Sequence, residues 1–555
     1  MGTLGPLVLI VLLAALLRGW RVSEVGLDHF DEGVYAFSAL ALADPQAAPE
    51  LYPRQARFSP PVFFGLTGAL QRGLDVPTDR AAALLNAGLG ALTVLAIGLV
   101  GSSWFGARAG VIAATLLAAS EYHVALSRCA LTDVPFALFH LLATCALVEA
   151  LRRRSFALAV LAGAAVGLAW NTKYHGWLAL VVTGVAALAA LVFERPRSLA
   201  ASVRVLAVGS VAALVAALCY LPWAMYVDSR PGGYAALAEY QAGMLSGSWW
   251  GNAWRQLQFQ VFFEGPLSRA SVPLAIVAGL AVGDGVAGLR GRRLAQLAFV
   301  AASSLIVGGS LTTMALAALG LRHLTRSASD LRPLTLAAWL GVWAVLTPFY
   351  YPYARLLLPW MIAVCLGAAV WISRWLDSPG AEPSAAEPSR ATSLRWAGAC
   401  ALAVLVLARC LPDSSDPWRP SRGMHAAVQS ILRDVPAERR ILVLGEPCVL
   451  FYLHEAGRRT CEQMSAADLP RALASADAPV FVVAGFYEPY VGAEEGELSS
   501  ARLGLRRVAT YPVDVKDLRL LDDIRPRQAF SYRRRGSQRA HDLRLFVHEP
   551  DRRGG

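Results

Sequence analysis

The chain is predicted to be a polytopic α-helical membrane protein that carries a small soluble α/β domain at its C-terminal end. Three observations lead there. Its 555 residues are 56% hydrophobic and 16% charged, with a mean hydropathy of +0.46, which is more apolar and less charged than ordinary soluble chains. Apolar runs of about 20 residues, enough to cross the hydrocarbon core, recur up to Leu411. Beyond that point amphipathic helical stretches alternate with short apolar strands.

The first run, Leu4 to Trp20, lacks the basic flank and small-residue cleavage site of a signal peptide and reads as a retained anchor. Further spans are expected near 81–100, 108–122, 132–151, 156–172, 176–193, 205–225, 271–289, 333–350, 355–374 and 394–411. The run 294–320 is too long for one simple span and is interrupted by Gly308-Gly309-Ser310, so it reads as a hairpin of two short spans. The total is about 13 spans.

The basic loops Leu151-Arg152-Arg153-Arg154, Glu194-Arg195-Pro196-Arg197 and Leu289-Arg290-Gly291-Arg292-Arg293 fall on one side of that arrangement, which the positive-inside rule makes cytoplasmic. The same loops account for much of the net charge of +11, so the charge implies no nucleic-acid partner. Residues 21–80 then form a long first external loop, and the expected domains are 1–411, transmembrane, and 412–555, soluble and external. In the tail a helix is expected over Met424 to Arg433, with strands at Arg440 to Gly445 and Pro479 to Gly485 in a small, partly parallel sheet. No Gly-rich phosphate loop follows either strand, so no nucleotide is assigned. The segment 377–393 reads as a flexible loop. Residues 226–270 read as a second external loop whose Trp249, Trp250 and Trp254 form either a headgroup belt or a sugar-stacking surface. Cys448 and Cys461 are the only cysteines of the soluble tail, and an external location predicts a disulfide between them.

Chemistry is expected first at Asp28-His29-Phe30-Asp31-Glu32-Gly33-Val34-Tyr35, an anionic cluster directly after an apolar run, where uncompensated charge is costly. If the segment is helical, Asp28, Asp31, Glu32 and Tyr35 share one face, and close carboxylates raise one another's pKa toward that of a general base. The competing reading is a charged helix start marking where the chain leaves the bilayer. Three more polar positions lie at expected external span ends. Asp133 opens one, with His140 two turns deeper; Lys173 closes another beside Tyr174 and His175; Arg355 opens a third beside Tyr353. Singly, these are a helix cap and two snorkelling cations. Together, cations flanked by aromatics on the side that positive-inside bias depletes suggest phosphate binding beside a base.

The order of Asp31-Glu32, Pro60-Pro61, Arg80, Trp104-Phe105-Gly106-Ala107-Arg108, Ser127-Arg128 to Thr132-Asp133, Gly167-Leu168-Ala169 to Thr172-Lys173, and Tyr353 to Pro359 resembles the bacterial dolichyl-phosphate-mannose-protein mannosyltransferase-like family. That family also includes aminoarabinose transferases of lipid A and has the GT-C membrane glycosyltransferase fold. The resemblance implies inverting transfer of a sugar from a polyprenyl-phosphate carrier to a protein, lipid or glycan acceptor on the external face of a bacterial plasma (inner) membrane. It implies Asp31 as the catalytic carboxylate, Glu32 and Asp133 assisting, and Lys173 and Arg355 on the carrier phosphate. His29, Tyr35, Tyr174, His175 and Tyr353 are expected to line the substrate. No nucleotide sugar is required, and Asp28, Asp31 and Glu32 with His29 or His175 offer ligands for a divalent metal. The rival from another class is a transporter or flippase of lipid-linked saccharides, which places its charges near the midplane on broken helices rather than at one surface.

Overall fold

Long runs of Ala, Leu and Val satisfy their backbone groups within the segment only as helices, and helices make up nearly all of the first 376 residues that can be described. The computed structural model describes residues 4–44, 59–193, 199–245, 247–264, 309–324, 330–376, 421–485, 503–514 and 540–550. In chain order the helices are α1 (Leu4–Gly19), α2 (Phe30–Ala43), α3 (Val62–Leu74), α4 (Thr78–Phe105), α5 (Ala107–Ala119), α6 (Glu121–Leu126), α7 (Asp133–Arg153), α8 (Phe156–Trp170) and α9 (Leu178–Phe193). They continue with α10 (Leu199–Asp228), α11 (Gly233–Gly243), α12 (Trp249–Glu264), α13 (Gly309–Leu324), α14 (Leu331–Leu346) and α15 (Leu358–Leu376). Among the described residues six helical segments are long and apolar enough to cross a membrane: Gly5–Glu24, Thr78–Phe105, Asp133–Arg153, Tyr174–Val192, Leu199–Asp228 and Ala354–Arg374. The chain is therefore a multi-pass membrane protein. The expected spans near 271–289 and 394–411, the stretch 294–308 and the 377–393 segment lie outside the described residues.

Residues 226–270 differ from the expected loop as far as they are described, because they contain the end of α10 and the helices α11 and α12. Trp249 of α12 donates its indole N–H to Val345 O at 2.9 Å, while Trp250 and Trp254 stay exposed.

Two compact units emerge. The first takes in 1–20, 87–127 and 132–412; the second takes in 21–86, 128–131 and 413–555. Within the first, small residues let helices approach closely: Ala143, Leu147 and Ala150 of α7, Ala159 and Ala162 of α8, and Val208 and Ala212 of α10 share one core.

The second unit joins the first-loop helices to a sheet with α16 (Gly423–Asp434), α17 (Pro447–Glu455) and α18 (Leu469–Ala474). The strands β1 (Ile441–Leu444), β2 (Cys461–Met464), β3 (Val480–Ala484), β4 (Leu505–Asp514) and β5 (Ala540–His548) are ordered β2-β1-β3-β5-β4. β1 runs parallel to β2 and β3, whereas β5 runs antiparallel to β3 and β4. β1 is buried on both faces, as a central parallel strand should be. Ile441 and Val443 join a core with Val34 and Phe37 of α2, Phe63 of α3, Ile431 of α16 and Phe451 of α17. Leu442 and Leu444 join another with Leu469 and Leu473 of α18.

The expected disulfide does not form. Cys448 and Cys461 are both buried thiols, one donating to His29 O at 3.2 Å and the other to Arg458 O at 3.1 Å. Each sulfur is turned toward a different backbone carbonyl, so proximity in sequence does not bring the pair together.

Candidate active site

In the second unit the acidic segment is a helix start, and its geometry divides the carboxylates. α2 begins at Phe30 with His29 as its N-cap, so Asp28 lies before the helix and not on the face of Asp31 and Tyr35. The Asp31 N–H donates to His29 Nδ1 at 3.2 Å. Glu32 is fully buried and reaches back: its Oε2 accepts the N–H groups of Asp28 at 3.2 Å and His29 at 3.1 Å, and its Oε1 accepts the Ala130 N–H at 2.9 Å. The His29 N–H is the N-cap donor of α2, satisfied by a capping box, while the Asp28 N–H precedes it and Ala130 lies in the segment before α7. Asp31 and Tyr35, one turn apart, stay half-buried on the open side, with the Tyr35 ring against Phe63 and Phe64 of α3 at 6.2 and 5.6 Å.

The start of α2 is also mounted on the C-terminal part of its own unit. The Gly26 N–H donates to Ser421 O at 2.8 Å, and the Leu27 N–H donates to the Tyr452 hydroxyl at 2.9 Å. That hydroxyl donates in turn to Asp79 Oδ2 at 3.2 Å, which also receives Arg422 at 2.8 Å. Gly33 meets the 447–448 peptide so closely that a Cβ there would lie 2.4 Å from Cys448 N. A side chain of any size would push the helix off this seat. Tyr452 is fully buried, and burial together with the nearby Asp79 raises its phenol well above the ordinary value. Sequence reasoning did not find Tyr452, Asp79, Arg422 or Gly33, since contacts between positions hundreds of residues apart leave no local pattern.

In the first unit Asp133 is the first residue of α7, where a carboxylate meets the positive end of the helix dipole. Its Oδ1 accepts the ammonium of Lys173, and its buried Oδ2 has no hydrogen-bond partner among the described residues. Lys173 leaves α8 in extended backbone after the Thr172 hydroxyl closes on Leu168 O at 2.7 Å and the Asn171 amide ties Gly167 O to Cys219 O at 2.9 and 3.0 Å. The chain then folds back at Gly176, where a Cβ would lie 2.3 Å from the Trp170 nitrogen. This turn needs glycine. Lys173 keeps 17% side-chain exposure against 2% for Asp133, so the ammonium is the member of the pair that a ligand can reach.

Behind the pair lies a layer of rings. Phe136 and His140 of α7 meet His175, Trp339 and Trp343: Phe136 to His175 is 4.6 Å, His175 to Trp343 is 5.8 Å and His140 to Trp339 is 5.2 Å between centroids. The Trp343 indole donates to His140 Nε2 at 3.3 Å. Tyr174 accepts the Trp223 indole N–H at 3.3 Å. Trp339 and Trp343, one turn apart on α14, were legible as a pair but were not singled out.

Arg355 sits in a short 3-10 turn, Ala354–Leu357, that the Tyr122 hydroxyl anchors by donating to Ala354 O at 2.5 Å. It is 7% exposed, with its guanidinium carbon 5.3 Å from the Tyr353 ring centroid. Among the described residues no group of three or more His, Cys, Asp or Glu side chains is placed to hold a metal ion. Asp28, Asp31 and Glu32 belong to the second unit and His175 to the first.

Comparison with known proteins bears on the family and the fold. Residues 60–231 match the family model described as dolichyl-phosphate-mannose-protein mannosyltransferase. That segment contains Asp133 and Lys173 but neither Asp31 nor Arg355. The structure is similar to the oligosaccharyltransferase AglB of Archaeoglobus fulgidus in complex with an inhibitory peptide and a dolichol-phosphate. The TM-score there is 0.53 at 15% identity, over 87% of this chain and 69% of that one. The same oligosaccharyltransferase tethered to an acceptor peptide with the NVT sequon gives 0.52 at 14% identity, over 87% and 69%. ArnT of Cupriavidus metallidurans bound to undecaprenyl phosphate gives 0.47 at 16% identity, over 97% and 98%. No curated protein matches the chain by sequence. The chain has the fold of the GT-C membrane glycosyltransferases and, over residues 60–231, the sequence pattern of the mannosyltransferase family, as the motif order implied.

Proposed function

We propose that the chain is an inverting glycosyltransferase that moves a sugar from a polyprenyl-phosphate carrier to a protein, lipid or glycan acceptor. The observation that supports this most is the Asp133–Lys173 pair: a buried carboxylate holds an accessible ammonium at the ends of two spans, inside the segment that matches the mannosyltransferase model. In apolar surroundings such a pair is costly to keep without a use. The dolichol-phosphate held by the AglB structure of the same fold is a carrier of the class proposed here.

In this reading Asp31 takes the proton from the acceptor hydroxyl as its oxygen attacks the anomeric carbon. The bond from that carbon to the phosphate oxygen breaks, and the phosphate leaves with the electron pair. Lys173 and Arg355 meet the charge that develops on it, a contribution larger in a water-poor site than in water. Asp133 keeps Lys173 aimed, and Glu32 holds the helix start from which Asp31 projects. The positive-inside bias of the sequence, read with the expected 13 or so spans, supports the external face of a bacterial plasma membrane as the side of the reaction.

The test follows sugar transfer in detergent, where no membrane separates two sides, using polyprenyl-phosphate-linked sugars as donors. Transfer that is lost in Asp31→Asn and reduced in Lys173→Gln supports the enzyme. Carrier movement across vesicles without any transfer would replace it with a transporter.

A further inference from the structure

A second polar site lies at the other end of α7. Twenty-one residues separate the two ends of this helix, about 30 Å at 1.5 Å per residue, which is the thickness of the hydrocarbon core. There the ends of α7, α9, α10 and α14 enclose a cavity of about 590 Å³. Its wall is apolar, formed by Leu151, Ala187, Ala190, Leu191 and Val205. Its rim carries Arg152, Arg153, Arg154 and Arg332, with Asp330 among them.

Among the described residues the rim carries more cations than anions. Glu149 accepts Arg152 at 2.9 Å, Arg153 at 3.3 Å and Arg332 at 2.8 Å, and Asp330 lies 3.5 Å from Arg152. Among the described residues two carboxylates therefore face four guanidiniums. Glu149 draws three of the four to one point, which fixes their geometry. Arg154 is left over: it ends α7 in the left-handed region at φ 51°, and among the described residues its guanidinium has no carboxylate partner. A fifth cation, Arg204 of α10, donates to the Arg154 carbonyl at 3.3 Å and adds no anion.

We infer that this cavity binds one anionic phospholipid, its phosphate among the arginines and an acyl chain along Ala187, Ala190 and Leu191. An apolar wall leading to an anion-selective rim at a membrane surface suits a molecule with both parts, and basic pockets between span ends are where such headgroups are held. A free phosphate would use the rim and leave the wall wet. A zwitterionic lipid would use the wall and bring its own cation to a rim that already has an excess.

Native mass spectrometry of the full-length protein in detergent tests this with dioleoylphosphatidylglycerol, dioleoylphosphatidylcholine and glycerol 3-phosphate as probes. The expected result is one phosphatidylglycerol retained at least about tenfold more strongly than phosphatidylcholine, and no displacement by millimolar glycerol 3-phosphate. The double variant Arg152→Gln/Arg154→Gln should lose that retention, whereas Arg108→Gln, a charge outside the cavity, should keep it. Ala187→Phe leaves every charge in place and fills the apolar wall, so it should also lose the lipid; it decides the matter if the arginine variant does not fold. Equal retention of both lipids, displacement by glycerol 3-phosphate, or loss in Arg108→Gln as large as in the double variant would each overturn the inference. None of these readouts depends on sugar transfer.

Discussion

Glu32 accepts the N–H of Ala130 at 2.9 Å with one carboxylate oxygen and the N–H groups of Asp28 and His29 with the other. Two adjacent acids that look alike in sequence therefore have different surroundings. Glu32 has both oxygens on buried backbone donors, whereas Asp31, one residue earlier, projects from the half-exposed side of the same turn. This separates two variants. Glu32→Gln replaces an acceptor oxygen with a donor and strands a buried N–H, so it should cost about 1–3 kcal/mol of stability. Asp31→Asn should leave the melting temperature nearly unchanged and lower turnover by roughly 100- to 10,000-fold. A Glu32→Gln protein as stable as the wild type would refute the capping role.

The hydroxyl of Tyr452 bridges Leu27 and Asp79. Tyr452→Phe removes only that atom, and amide hydrogen exchange over 26–33 should speed up by about fivefold or more, as expected for one lost hydrogen bond of about 1 kcal/mol. Exchange in β1 and β3 should not change. Gly33→Ala is the harsher variant, since its Cβ would meet the 447–448 backbone, and overpacking of this kind costs about 1–3 kcal/mol. Unchanged exchange in both variants would show that the helix start does not depend on this seat.

Burial, and then the neighbouring Asp79, raise the Glu455 carboxyl from its ordinary 4.5 to about 7, while Arg422, the Thr78 N–H and Arg80 pull it the other way. Between those two values the folded protein keeps a proton that the unfolded chain has released. Stability should therefore fall as pH rises from about 4.5 to about 7 and level off above that. Glu455→Gln should flatten this slope and raise the apparent melting temperature at pH 8. Melting curves of the solubilised protein across this range check it, and a slope equally steep in the variant would count against the assignment.

Cys448 and Cys461 should both react with a maleimide once the protein is denatured without reductant. In the native protein both should be slow, because each is buried and burial raises the Cys461 thiol to about 12, where little thiolate exists near neutral pH. Mass spectrometry that finds the two already bridged would contradict the structure.

Much of this architecture was legible because membrane helices write themselves into composition. The spans ending at Arg153 and Asp228 were read within a few residues, and Asp133 and Lys173 were picked out because polar groups at apolar span ends are costly. The strands at 441–444 and 480–484 were legible as continuous apolar runs. β2, β4 and β5 were not read, since β4 alternates over a largely exposed face and β2 is four residues with a polar middle. The division at residue 412 was drawn from a change of pattern along the chain. The compact unit that contains the tail also takes in 21–86, which only contacts such as that of Leu27 with Tyr452 reveal. Asp28 was grouped with Asp31 on helical spacing, and the His29 cap ends the helix before that spacing applies. Histidine is not among the residues normally read as a cap.

The measurement closest to the central claim is the turnover of Lys173→Gln and Asp133→Asn in detergent with a polyprenyl-phosphate-linked sugar. If Lys173 meets the carrier phosphate and Asp133 aims it, Lys173→Gln should weaken donor binding by about 1.5–3 kcal/mol, roughly 10- to 150-fold. Asp133→Asn should produce part of the same loss, and the double variant should be no worse than Lys173→Gln alone. Donor binding and transfer at wild-type levels in Lys173→Gln would contradict the account.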